Sequence, residues 1–66
     1  MDISINGETK GFDAPLSVAD LLKRLGLPQQ KIAVEHNLEI VPKSAYGTHM
    51  LADGDRIEIV HFIGGG

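Results

Sequence analysis

The sequence predicts an α+β fold, a mixed sheet of four to five strands crossed on one face by one main helix. Three observations carry the prediction. Apolar residues alternate with polar ones near both ends of the chain, a helical spacing of apolar residues lies between those segments, and turn-forming residues separate the pieces. With 66 residues, residues 1–66 are expected to form one domain, ending in a flexible glycine tail over 64–66. A domain of this size buries only about 60% of the surface that its unfolded chain exposes, so its core is thin and a large internal active-site cavity is not expected.

The elements follow in order. Ile3 and Ile5 alternate with polar neighbours, and Asn6-Gly7 supplies two residues tolerant of positive φ, a hairpin signal. A second strand is expected through Thr9 to Phe12, and Pro15 breaks the extended run. Ser17 stands where a helix N-cap belongs, with Asp20 three residues later in a capping-box-like arrangement. Val18, Leu21, Leu22 and Leu25 then fall on one helical face, and burying each contributes about 1.5–3 kcal/mol. Gly26 suits the left-handed position after the helix, and Pro28 prevents continuation.

Ile32 and Val34 read as a strand, Glu35-His36-Asn37 as a turn, and Leu38 to Val41 as a short strand ended by Pro42. Lys43 to Met50 is irregular, with one short helical turn around Tyr46, whose hydroxyl is expected to anchor the loop by a hydrogen bond. Asp53-Gly54-Asp55 turns the chain into Arg56 to Phe62, the strongest strand by β-branched and aromatic content. The order is ββαββ with one short extra strand among them. One helix packed across one face of the sheet buries every apolar face, because each element has only one. That is the β-grasp, or ubiquitin-like, arrangement.

Composition narrows the function. Six Lys or Arg against nine Asp or Glu give a net charge of -3, with the basic residues scattered. No basic stripe tracks a phosphate backbone, so nucleic-acid binding is not expected. There is no cysteine, which excludes disulfides, thiolate catalysis and Cys-based zinc sites and is compatible with a reducing compartment. The first residues lack the pattern of a signal peptide, and no apolar run approaches membrane-spanning length. The expectation is a cytoplasmic protein without a membrane partner.

His36, His49 and His61 show no metal-ligand spacing and read as turn, loop and strand-surface residues, with His61 partly buried. Ser17 reads as a helix cap rather than a nucleophile, since no general base accompanies it on the helix. Asp53 and Asp55 read as shaping their turn, with too few oxygen ligands nearby for a calcium loop. No catalytic residue, bound cofactor or metal is expected.

The end of the chain carries the chemistry. Side chains of the last strand must alternate, so Ile57 and Ile59 facing the helix leave Val60 and Phe62 on the uncovered face, an apolar patch of the kind that marks partner sites. Gly64, Gly65 and Gly66 extend a strand poorly, and as an arm they reach about 10 Å past the last packed residue. Lacking Cβ atoms, they suit a narrow channel into another protein's active site. A terminal carboxylate is ionised at neutral pH and a poor electrophile. Adenylation by a partner would activate it, after which a sulfur or nitrogen nucleophile can displace AMP. The glycines resemble no phosphate-cradling loop, so the ATP must be bound elsewhere.

These residues resemble the ThiS family of thiamin-biosynthesis sulfur carriers nearly end to end. The likeness runs through Asn6-Gly7, Val18 to Leu22, Ala33 to Asn37, Ile40-Val41-Pro42 and Leu51 to Val60, and is most specific in the ending Val60 to Gly66. The resemblance implies a carrier that is not itself an enzyme. Gly66 would be adenylated by a ubiquitin-activating-type, ThiF-like adenylyltransferase and converted to a thiocarboxylate, with sulfur from a donor protein. A ThiG-like thiazole synthase would then take the sulfur into the thiazole ring. Gly64 and Gly65 would be the threading arm, and Val60, Phe62 and Ile63 the docking surface. Three other readings stand beside it: a molybdopterin synthase small subunit, a ubiquitin-like modifier attached to lysines, and a β-grasp interaction module with incidental glycines.

Overall fold

Residues 1–61 are described by a computed structural model of the chain. Asn6 and Gly7 take φ of 50° and 87°, which closes a tight hairpin between β1 (Asp2–Ile5) and β2 (Glu8–Gly11) in antiparallel register, Ile3 opposite Lys10 and Ile5 opposite Glu8. The chain crosses to α1 (Val18–Leu25), returns through a 3-10 turn over Gln29–Lys31 into β3 (Ile32–His36), and turns back as β4 (Glu39–Val41). A second 3-10 turn over Lys43–Ala45 opens the stretch before β5 (Arg56–His61). The order is ββαβββ, the short extra strand being β4. The five-stranded sheet runs β2-β1-β5-β3-β4, with β1 and β5 parallel and every other pair antiparallel.

Helix α1 is held at both ends as its sequence demands. The Ser17 hydroxyl accepts from Asp20 N–H at 3.0 Å, and the Asp20 carboxylate accepts from Ser17 N–H at 3.1 Å, a reciprocal capping box. Those bonds hold the Asp20 carboxyl below its ordinary range. Val18 N–H donates to the His49 carbonyl at 3.0 Å and Ala19 N–H to that of Tyr46 at 2.8 Å, so the free amides of the first turn organise the irregular stretch that follows β4. At the other end Gly26 takes φ 70°, with Gly26 N–H on Lys23 and Leu27 N–H on Leu22, a Schellman closure.

The core lies between α1 and one face of the sheet, where Ile3, Leu16, Leu21, Leu22, Ile32 and Ile57 are fully buried. Leu25, expected on the buried face, is only partly covered at its edge. Tyr46 is buried, and its hydroxyl donates to the Ile32 carbonyl across a long 3.5 Å.

Two expectations change at the β3–β4 connection. The strand continues through His36, and the turn falls on Asn37 and Leu38, with φ of 50° and 74°. Asn37 is tied to the start of β5: its N–H donates to the Arg56 carbonyl at 2.8 Å, and its side-chain oxygen accepts from Arg56 N–H at 2.8 Å. These long-range bonds move the turn past the polar cluster, which local sequence alone does not report. Leu38 is 71% exposed, so its left-handed backbone is offset by little burial of its own.

The histidines also differ from expectation. His61 is exposed, whereas His36 and His49 are partly buried and paired. His36 places Nε2 2.7 Å from Asp55 Oδ2 and Nδ1 2.7 Å from His49 Nε2, with the two rings edge to face. Asp55 also accepts from Ala52 N–H at 2.7 Å and from the Asn37 amide at 3.3 Å. Burial pushes the Asp55 carboxyl up, but the bonds from Ala52, His36 and Asn37 outweigh it and hold the group below its ordinary range. The trio fastens the end of β3 and the stretch after β4 to the turn before β5. As expected, both aspartates of that turn shape it: Asp53 accepts from Asp2 N–H at 2.7 Å.

Two stability measurements follow. Leu38→Gly removes the left-handed penalty at an exposed position and should raise stability by about 1 kcal/mol in urea unfolding; a loss would show that Leu38 packs in solution. Because the Asp55 carboxyl titrates lower in the folded chain, its contribution is complete above the unfolded carboxylate pKa. It is lost as pH falls through the folded value. Asp55→Asn should therefore destabilise at neutral pH, and its difference from the wild type should shrink in acid. A difference independent of pH would count against this assignment.

Candidate partner-docking face

The face of the sheet away from α1 has no helix on it among the described residues, and it is built by strand parity. With Ile57 and Ile59 turned into the core, Glu58 and Val60 emerge on the other side. The registers Ala33 opposite Val60, Glu35 opposite Glu58 and Glu35 opposite Ile40 place these residues on one surface. Val60 is 56% and Ile40 66% exposed. Val60 therefore sits where the sequence placed it, at the outer end of β5. Phe62, Ile63, Gly64, Gly65 and Gly66 lie outside the described residues.

Ile40 belongs to the same face and was not legible as a site residue. Its strand has three residues, too few for alternation to set its facing, and only the register with β3 decides it. Between the two apolar positions, Glu35 and Glu58 stand directly opposite each other, a like-charge pair that costs stability in a sheet. The face is thus apolar at its margins and acidic between them, with Arg56 next along β5 on the same side. Such a surface offers a partner apolar contact together with an attraction for basic groups.

β5 gives this face its position in the fold. It lies between β1 and β3, so the strand that leads in sequence into residues 62–66 is the middle strand of the sheet. On the β3 side its pairing continues out to Ile32 opposite His61. Ser17, the one hydroxyl weighed as a nucleophile, is buried and spent on its cap. Among the described residues no group of three or more His, Cys, Asp or Glu is arranged to hold a metal ion.

Known proteins place this geometry. The model of the ThiS family matches residues 3–66. The sulfur carrier protein ThiS of Escherichia coli is 33% identical over 66 residues, covering all of both chains. A thiazole synthase of Paramagnetospirillum magneticum is 54% identical over 66 residues, which is 100% of this chain but 20% of that protein, so the chain spans about a fifth of that relative's length. In three dimensions the chain superposes on the crystal structure of the thiamine biosynthesis protein ThiS from Geobacter metallireducens with a TM-score of 0.85, at 33% identity and with both chains fully covered. The family model over residues 3–66 and the full-length likeness to these carriers and their fold decide the membership: the chain belongs to the ThiS family.

Proposed function

We propose that the carboxylate of Gly66 is the group on which sulfur is carried. The carboxylate attacks the α-phosphorus of ATP in a ThiF-like adenylyltransferase and displaces pyrophosphate. The outer sulfur of a persulfide on a donor protein then attacks the acyl carbon and displaces AMP, giving an acyl disulfide, and a thiol attacks the donor-side sulfur, forming a disulfide there and releasing the thiocarboxylate. A ThiG-like thiazole synthase takes that sulfur into the thiazole ring. On this reading the chain is a co-substrate rather than an enzyme. It binds no cofactor of its own, uses ATP only through the activating enzyme, and works in the cytoplasm.

The observation that carries the reading is the exposure of Val60 on the uncovered face of the middle strand, immediately before the segment that ends in Gly64, Gly65 and Gly66. Val60, with Phe62 and Ile63, is the proposed docking surface, and Gly64 and Gly65 the arm that threads the partner's channel. Because both partners must reach one terminus, one surface serves each in turn. The thiocarboxylate is anionic and nucleophilic at neutral pH yet attached to a folded label, so sulfur passes on without release of free sulfide.

Two experiments test this. Intact-mass spectrometry after incubation with ATP, a sulfur source and the adenylating enzyme should show oxygen replaced by sulfur, and deletion of Gly66 should abolish the change. No adduct with an active, correctly paired enzyme would make an interaction module the better reading. Val60→Thr keeps the β-branched shape and should leave stability within about 0.5 kcal/mol, while KM with each partner rises about three- to tenfold from lost apolar contact. Wild-type KM with both partners, for Val60→Thr and Phe62→Ala alike, would remove the shared surface.

A further inference from the structure

β1 ends its ladder with β5 early. Backbone pairing stops at Ile5 opposite Ile57, with Asn6 N–H on the Ile57 carbonyl at 2.9 Å, and the chain then turns away at Gly7. The next outward group on that edge of β5 is the backbone of Ile59, and a side chain meets it. Asn6 Oδ1 accepts from Ile59 N–H at 2.7 Å, and Asn6 Nδ2 donates to the Ile59 carbonyl at 3.2 Å. An exposed asparagine at positive φ thus commits both ends of its amide to a strand 53 residues away.

We infer that Asn6 is a positioning residue for the outer end of β5, where Val60 lies. Its amide continues the edge that β1 has left and holds the outer half of β5, with Val60, in line for docking. The inference rests on the carrier reading above. Freezing this strand end in advance removes an ordering cost that docking would otherwise carry. Only asparagine fits fully, because it tolerates a left-handed backbone and has one acceptor and one donor side by side.

The test compares Asn6→Gly, which keeps the backbone and removes the clamp, with Asn6→Asp, which can accept from Ile59 N–H but while ionised cannot donate to its carbonyl. Ser17→Ala is the control, weakening the fold at the α1 cap without removing a bond to β5. In steady-state adenylation by the activating enzyme, Asn6→Gly should raise KM about three- to tenfold, the worth of one to two hydrogen bonds, with kcat changed less than about twofold. Asn6→Asp should lie between it and the wild type, Ser17→Ala should keep the wild-type KM, and hydrogen exchange at the Ile59 amide should accelerate in Asn6→Gly more than in Asn6→Asp, which keeps the acceptor, or in Ser17→Ala. Wild-type KM in Asn6→Gly, or an equal rise in Ser17→Ala, overturns the inference. If Asn6→Gly does not fold, Asn6→Asp against Ser17→Ala decides by the same criteria. A wild type that is never adenylated sinks the carrier reading instead, and exchange at Ile59 unchanged in Asn6→Gly would then still overturn the clamp.

Discussion

The parallel pairing of β1 with β5 sets Ser4 beside Arg56 and Ile5 beside Ile57, and the other elements are arranged around it. Two parallel neighbours cannot be joined by a tight turn, so the chain between them must leave the sheet and return. The β1–β2 hairpin fills one flank, β3 and β4 the other, and α1 covers the face where Ile3, Ile5, Ile57 and Ile59 meet. Because this pairing joins residues far apart in sequence, it forms only after the cost of closing a long loop has been met, a demand that a thin core must satisfy with few side chains.

Much of this was legible because local and long-range preferences agree. Asn6-Gly7 turns where the sequence places a turn, Ser17 and Asp20 form the reciprocal cap that their spacing implies, and Gly26 takes the left-handed position. What was not legible depends on partners distant in sequence. The turn at Asn37 and Leu38 is imposed by bonds to Arg56, and no propensity would choose leucine for a left-handed position. The stretch over Lys43 to Met50 has no regular pattern because its carbonyls at Tyr46 and His49 answer the first amides of α1, a requirement written in the helix and not in the loop. The bonding of His36 to His49 and Asp55 likewise appears only once β3, the loop and the final turn are assembled.

The candidate site divides in the same way. Val60 could be placed from parity alone, since β5 is six residues long and its buried members are unmistakable. Ile40 needed the register of a three-residue strand, and the acidic pair at Glu35 and Glu58 needed to be seen across two strands at once. That pair sets two like charges opposite each other between exposed Val60 and Ile40, a local cost that neither packing nor pairing in the sheet offsets.

The middle position of β5 also has a mechanical side. A segment drawn into a partner's channel pulls on the strand that bears it. Along an edge strand such a load breaks one row of bonds in turn, like a peeled tape. Here a force directed along β5 is shared between β1, with the Asn6 amide, on one edge and β3 on the other, so the rows must shear together. The end of β5 is thereby fastened along both of its edges, and traction on it is borne by the strands on either side.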